Sequence, residues 1–219
     1  MRWSLKSLCL AIGALAACFA VFANKWHHAH NTAKFVHTLE AKHAAVRYEH
    51  CNSPLTIEYN KHGSPISVAD ACANEPWYYR LLGRDMFSTV SAISIDRGGV
   101  RAEDLRELNL CPGIRVLQIR GVDLSPADLD RICSMQLLER LELVDCTIGP
   151  ANWKRLSSLN RLWSIRIVDD GVDEEAFAAL CRNARLTWIV VESTHLSLGH
   201  RPTTGEDDSR LIEIRRRGQ

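Results

Sequence analysis

Between positions 90 and 196 the apolar residues return every 24 positions, and this spacing limits what the chain can fold into. Val90, Ile114, Leu138, Leu162 and Leu186 form one column. Ile93, Leu117, Leu141, Ile165 and Ile189 form a second. Ile95, Ile119, Leu143, Ile167 and Val191 form a third, and Val100, Leu124, Ile148, Val172 and Leu196 a fourth. Leu105, Leu129, Trp153 and Phe177 continue the register, as do Leu108, Ile132, Leu156 and Leu180. Five copies in phase, with no insertion between them, mark a repeat architecture in which each unit buries its apolar face against the next.

Each unit holds two patterns. In Leu138-Glu-Arg-Leu141-Glu-Leu143 the last positions alternate apolar and polar, which makes a short strand with one buried face. Six residues after the last strand column a helix is expected to begin. Ser125-Pro126-Ala127-Asp128 supplies an N-cap serine, proline at the first helical position and a carboxylate three residues after the cap. Asp173-Glu174-Glu175 places acids where the helix dipole favours them. Trp153 and Phe177 fall in helix columns that point inward, so both read as core residues. Arg101, Ser125, Gly149 and Asp173 mark the helix starts.

The chain has 219 residues, 46% hydrophobic and 24% charged, with a net charge of +1. That balance is globular, and it gives no global attraction toward nucleic acid. The eight cysteines include no C-x-x-C pair, so a zinc ribbon or thioredoxin-type site has no support. Cys133 and Cys181 stand two repeats apart, about 10 Å at strand spacing, too far for a disulfide. Cys51 and Cys72 flank an expected hairpin and are the more plausible pair outside the cytoplasm.

The N-terminus is a different kind of sequence. A tail, residues 1–6, carries two positive charges, and residues 7–24 carry none. Eighteen residues of helix span about 27 Å, just enough for a hydrocarbon core. A retained single-pass signal anchor is the expectation. A signal peptide cut after Ala23, a lipoprotein modified at Cys18 (Leu15-Ala16-Ala17-Cys18 resembles a lipobox) and a buried core helix are the alternatives. The basic residues slightly favour the N-terminus inside, with the rest outside the cytoplasm. Residues 25–45 follow as a juxtamembrane helix, with Ala29, Ala33, Val36, Leu39 and Ala44 at helical spacing. His27, His28, His30 and His37 fall on it; a solvated face accounts for them, with metal capture and pH sensing as alternatives.

Residues 46–89 are expected to form an N-terminal cap. Val46-Arg-Tyr48, Leu55-Thr-Ile57-Glu-Tyr59 and Ile66-Ser-Val68 alternate like short strands. Trp77, Tyr78, Leu81, Leu82 and Phe87 recur at helical spacing, and Leu81 lies one repeat before Leu105. Repeats are expected over residues 90–198. Residues 199–219 read as a loop, a last edge strand at Leu211-Ile-Glu-Ile214 and a basic tail whose arginines guard that edge.

The unit L-x-x-L-x-L resembles the leucine-rich repeat, L-x-x-L-x-L-x-x-N/C-x-L. Only Cys146 fits the Asn/Cys column, which otherwise reads Gly98, Val122, Asp170 and Thr194. With the anchor, Val46-Arg-Tyr48 and PWYYRLLGRDMF at positions 76–87, the chain resembles a bacterial family of membrane-anchored leucine-rich repeat proteins with 24-residue repeats. The resemblance implies an α/β fold: a short, curved, right-handed solenoid with parallel strands on the concave side and helices on the convex side. It also implies a membrane-tethered protein-binding module, and it brings no catalytic residues with it.

In such a solenoid the outward strand residues form the binding face. Four ladders follow: Ala92, Val116, Arg140, Ser164, Trp188; Ser94, Gln118, Glu142, Arg166, Val190; Asp96, Arg120, Val144, Val168, Glu192; and Arg97, Gly121, Asp145, Asp169, Ser193. The candidate contact residues are Arg120, Arg140, Glu142, Asp145, Arg166, Asp169, Trp188 and Val190. An apolar patch rimmed by charge suits a protein partner and lacks the basic-aromatic run of a nucleic-acid site. Neither a cofactor nor a metal is expected, and G-x-S-x-G, H-E-x-x-H and a phosphate loop are absent. A soluble secreted or lipid-anchored structural repeat protein is the alternative. A hydrolase using His195 is a remote one, since Ser193 and His195 share a strand face but Glu192 does not.

Overall fold

The computed structural model describes residues 5–49, 79, 83–96, 100–149, 152–168, 172–193 and 211–215. It is a mixed α/β structure with a long apolar N-terminal helix and one open seven-stranded sheet, ordered β1 to β7 as in the chain. The helix α1 is Leu5–Ala41. The strands are β1 (Ala45–Tyr48), β2 (Val90–Ile95), β3 (Val116–Arg120), β4 (Arg140–Val144), β5 (Ser164–Val168), β6 (Trp188–Glu192) and β7 (Leu211–Arg215). Between β2 and β3 runs a 3-10 helix, Ala102–Leu110. The next three connections carry α2 (Pro126–Cys133), α3 (Trp153–Leu156) and α4 (Glu174–Cys181).

The 24-residue spacing is the strand register. Ala92 pairs with Val116, Val116 with Arg140, Arg140 with Ser164 and Ser164 with Trp188, all in parallel. Each apolar column therefore becomes a row across the sheet. The rows that begin at Ile93 and Ile95 are buried along their whole length. Against them pack Leu105 and Leu108, Leu129 and Ile132, Trp153 and Leu156, and Phe177 and Leu180, all buried as the helix columns require.

Local chemistry sets the helix starts. Ser125 Oγ accepts from Asp128 N–H at 3.3 Å and Asp128 Oδ2 accepts from Ser125 N–H at 3.1 Å, a reciprocal cap. Asp173 Oδ1 accepts from Ala176 N–H at 2.7 Å. The first helix is 3-10 rather than α: Ala102, Leu105 and Leu108 are three apart and eclipse on one face, as three residues per turn require. Cys146 is buried, and its thiol donates to Ile119 O at 3.4 Å, which satisfies that carbonyl at the end of β3. Val122, one repeat earlier, is buried without a polar group; Gly98, Asp170 and Thr194 lie outside the described residues.

At the N-terminal end the expected juxtamembrane helix continues directly out of the apolar run. Leu5–Ala41 is one unbroken helix. Its last turns bury Phe35, Val36 and Leu39 in the core, and Thr32 Oγ1 donates to Leu110 O at 3.1 Å. The histidines His27, His28, His30 and His37 are exposed, as a solvated face requires. The helix stops because His43 adopts φ 64°, with Ala44 N–H donating to Leu39 O at 2.9 Å. The chain then turns into β1, antiparallel to β2, with Val46 opposite Ile93. One edge of the core is thus closed by α1 and β1, and β7 closes the far edge of the sheet, parallel to β6. The remaining expected cap strands, most of the Trp77–Phe87 element and the Cys51 and Cys72 pair lie outside the described residues.

Two measurable consequences arise from this packing. Lys42 Nζ lies 2.5 Å from Asp104 Oδ1, tying α1 to the start of the 3-10 helix. Burial pushes the Asp104 carboxyl up. The Lys42 hydrogen bond, the Arg101 N–H and both cations outweigh it, and hold the carboxyl below its usual range. A depressed folded pKa means stabilisation that is present at neutral pH and lost as pH falls through the folded value. Lys42→Ala is expected to lower stability at pH 7 by about 1 kcal/mol or less, since water screens the pair. Chemical denaturation should show that deficit vanishing in acid, below the normal carboxylate range of about 4. Burial, with Asp85 adding to it, pushes the Cys111 thiol up to about 12. At pH 8 its thiolate fraction is on the order of 10⁻⁴. Mass spectrometry after maleimide treatment should find Cys111 unlabelled in the folded protein and labelled after denaturation.

Candidate functional site

The face of the sheet turned away from the helices carries the predicted ladders, and its two halves differ. Toward β2 and β3 it is closed. Ala92, Val116, Ser94 and Gln118 are buried, and Ser94 Oγ donates to Gln118 Oε1 at 2.7 Å. Strands lie about 4.8 Å apart, so long neighbouring side chains lean over short ones and remove them from water. A surface that reads as polar ladders in sequence is therefore partly self-covered.

Toward β4–β7 the face opens into a hollow of about 320 Å³, walled by Arg140, Glu142, Arg166, Trp188, Val190 and Glu213 with Ser164 at its base. Five of the eight predicted contact residues meet there. Two arrangements set its electrostatics. The first is a ladder of alternating charge across four strands, β3 to β6. Arg120 Nη2 lies 3.4 Å from Glu142 Oε1, Arg166 Nη1 lies 2.9 Å from the same oxygen, and Arg166 Nη2 lies 3.0 Å from Glu192 Oε1. These charges largely neutralise one another. Arg166 is the most accessible of them, its side chain 40% exposed against 16% for Glu142.

The second is an arginine between two indoles. The guanidinium carbon of Arg140 is 5.2 Å from the Trp163 ring centroid and 5.9 Å from that of Trp188. Each contact is of the cation–π kind, about 0.5–2 kcal/mol depending on how dry it is. Unlike Arg166, Arg140 has no carboxylate partner among the described residues, and its buried Nε finds no hydrogen-bond acceptor among them. A cation held rigid by two aromatic planes, without a counter-charge, is prepared to receive one. Both indoles are 38% exposed, and Val190, opposite Glu213, supplies an apolar floor.

The other predicted residues have different places. Arg120 belongs to the charge ladder one strand away from the hollow. Asp145 is a turn residue: it follows β4 with φ 52° and donates its N–H to Val168 O at 2.7 Å. Gly121, one repeat earlier, has φ 63° and makes the matching bond to Val144 O at 2.8 Å. The strand alternation that put Asp145 in a ladder ends one residue before it. Asp tolerates this left-handed position better than most side chains. Asp169 and His195 lie outside the described residues.

Ser164 and Glu213 complete the hollow, and Trp163 stands beside it against Arg140. Ser164 stood in a predicted ladder. Trp163 was missed because it precedes β5, where alternation assigns it to the opposite side. Glu213 was missed because it lies outside the repeat register. An exposed tryptophan in a column otherwise holding Arg115, Glu139 and Thr187 was the available signal. No group of three or more metal-ligating side chains exists among the described residues. Comparison of the chain with protein-family models, with curated proteins and with solved structures finds no match.

Proposed function

We propose that this chain is a membrane-tethered leucine-rich repeat solenoid that binds a protein partner through the concave face of its sheet. The observation that carries the reading is Arg140 held between Trp163 and Trp188 at the wall of an open, half-apolar hollow. Tryptophan and arginine clustered in one recess are the side chains that dominate protein-binding energetics. The chemistry fits a partner segment that brings a carboxylate to Arg140 and an apolar side chain to Trp188 and Val190.

The solenoid reading is supported by the constant 24-residue register across β2–β6 and by one helix per crossover. The tether reading is supported by the apolar part of α1. It is one helix with Leu10, Leu15, Phe19 and Val21 fully on the surface, and the apolar window is 0% buried. A core helix of a water-soluble domain would hide those side chains. The expected location is a single-pass membrane protein with the repeats outside the cytoplasm.

The test has two arms. Membrane fractionation with N-terminal sequencing should recover a chain beginning at Met1 in the membrane fraction; a soluble chain beginning at Asn24 contradicts the tether. The double variant Arg140→Glu/Trp188→Ala should bind partners from the same membrane at least about 30-fold more weakly, the loss of roughly 2 kcal/mol that one hot spot carries. Its melting curve should stay close to that of the parent, because both positions face the hollow. Unchanged binding by a folded double variant removes the concave face as the site.

A further inference from the structure

We propose that the edge of the sheet where strands β3–β6 begin is a second interaction surface. Its partner is the anionic headgroup layer of the bilayer that holds α1. This inference rests on the membrane-tethered reading above and adds an orientation to it.

The orientation comes from α1 being unbroken. It runs antiparallel to the 3-10 helix, since Thr32 meets Leu110 at that helix's end and Lys42 meets Asp104 at its start. Lower on α1, Lys25 and His28 share a recess with Ser88, Thr89, Pro112 and Gly113, just before β2 and β3. Thr32 stands eight residues above Asn24, about 12 Å of helix. Headgroups occupy about 5–8 Å on each side of the hydrocarbon. With residues 7–24 in the hydrocarbon, the loops beside Lys25 and His28 meet the headgroups, and no flexible linker lets the domain lift away. Because β2–β6 are parallel and in register, the loops leading into β4, β5 and β6 extend from Pro112 and Gly113 along the same edge.

Charge along the two edges is opposite in sign. The loops that enter β3–β6 contain Arg115, Arg161, Arg182 and Arg185 against one acid, Glu139. The turns leaving the strands, at 121–125, 145–149 and 172–175, contain Asp123, Asp145, Asp173, Glu174 and Glu175 and no lysine or arginine. Helix dipoles account for Asp173, Glu174 and Glu175 at the start of α4 and for Arg182 at its end. They do not account for Arg161 and Arg185, which lie beyond the last turns of α3 and α4. Arg115 is paired with Glu49 at 2.9 Å, while Arg161 and Arg185 are exposed and have no ion pair among the described residues. Those two line a broad open recess of about 660 Å³ with Asn160 and Trp163 between them. Trp26 stands exposed on α1 just past the apolar run and stacks on Phe22 with centroids 6.2 Å apart, a position favoured by interfacial tryptophan. Arginines with an amphipathic indole on a bilayer-facing edge complement an anionic interface.

The experiment uses the full chain in nanodiscs of phosphatidylcholine alone or mixed with phosphatidylglycerol, read by hydrogen exchange. Amides at 158–163 and 182–187 should exchange at least about fivefold more slowly in the anionic discs, the effect of roughly one arginine at the surface. Amides at 121–125 and 145–149, on the far edge, should be unchanged. In Arg161→Glu/Arg182→Glu/Arg185→Glu the lipid dependence should disappear. If the chain floats with the lipid and the near-edge amides exchange equally in both compositions, the edge proposal is wrong and the tether stands. If the chain does not float with lipid at all, the tether and the edge fall together. Should the triple variant misfold, the two lipid compositions with the parent chain still decide.

Discussion

Deleting residues 2–24 is expected to leave the sheet folded and, under the proposed tether, to release the chain from the membrane, whereas deleting residues 2–41 is expected to unfold it. The second deletion removes Phe35, Val36 and Leu39, which are buried against the first layer of the core. Each such side chain contributes about 1.5–3 kcal/mol by burial. Together they approach the whole stability of an ordinary domain, about 5–15 kcal/mol. Repeat arrays need such closure because the terminal layer otherwise presents its apolar face to water. Leu39→Ala in the shorter deletion is the finer test, with an expected loss of about 2–5 kcal/mol in urea. A 2–41 deletion as soluble and stable as the 2–24 deletion contradicts the assignment of α1 as both tether and cap.

Trp153→Ala should destabilise the same protein by about 3–5 kcal/mol, while Trp153→Phe should do so far less. Trp153 is the largest fully buried side chain among the described residues, and it sits in α3, a helix of only four residues. With so little helical hydrogen bonding around it, the third layer depends on the ring to fill the space between α2 and α4. Alanine leaves a cavity that flanking layers cannot close without losing their register. Phenylalanine keeps most of the apolar contact and deletes an indole N–H that finds no acceptor among the described residues. An unpaired buried donor costs about 1–3 kcal/mol, so its removal offsets part of the lost volume. Urea denaturation of the two variants measures the difference, and equal losses would mean that the N–H is satisfied.

The layered part of this fold was legible in sequence because a repeat writes its packing as spacing. A column 24 residues apart is a row across a parallel sheet, and burial of a row needs nothing beyond those residues. The helix starts were legible for a similar reason: Ser125 and Asp173 act on their own next turn. Three things were not written locally. The end of α1 shows Val36 and Leu39 at helical spacing, but that this face packs on the first repeat, with Phe35 beside it, is set only by the tertiary fold. Asp145 follows the alternation of β4 by position, but its backbone has already turned left-handed. Glu213 enters the hollow from outside the repeats and Trp163 meets Arg140 from before a strand, and only the tertiary arrangement brings them beside Val190 and Arg140.

The proposed concave binding face is tested most directly by photo-crosslinking in living cells. A benzophenone amino acid placed at Trp188 or Arg166, in the hollow, should give a discrete adduct with a second protein. The same probe at Glu175 or Ala178, on the helix side, should give none. Adducts that form from the helix side while positions 166 and 188 stay silent would contradict the concave face as the binding surface.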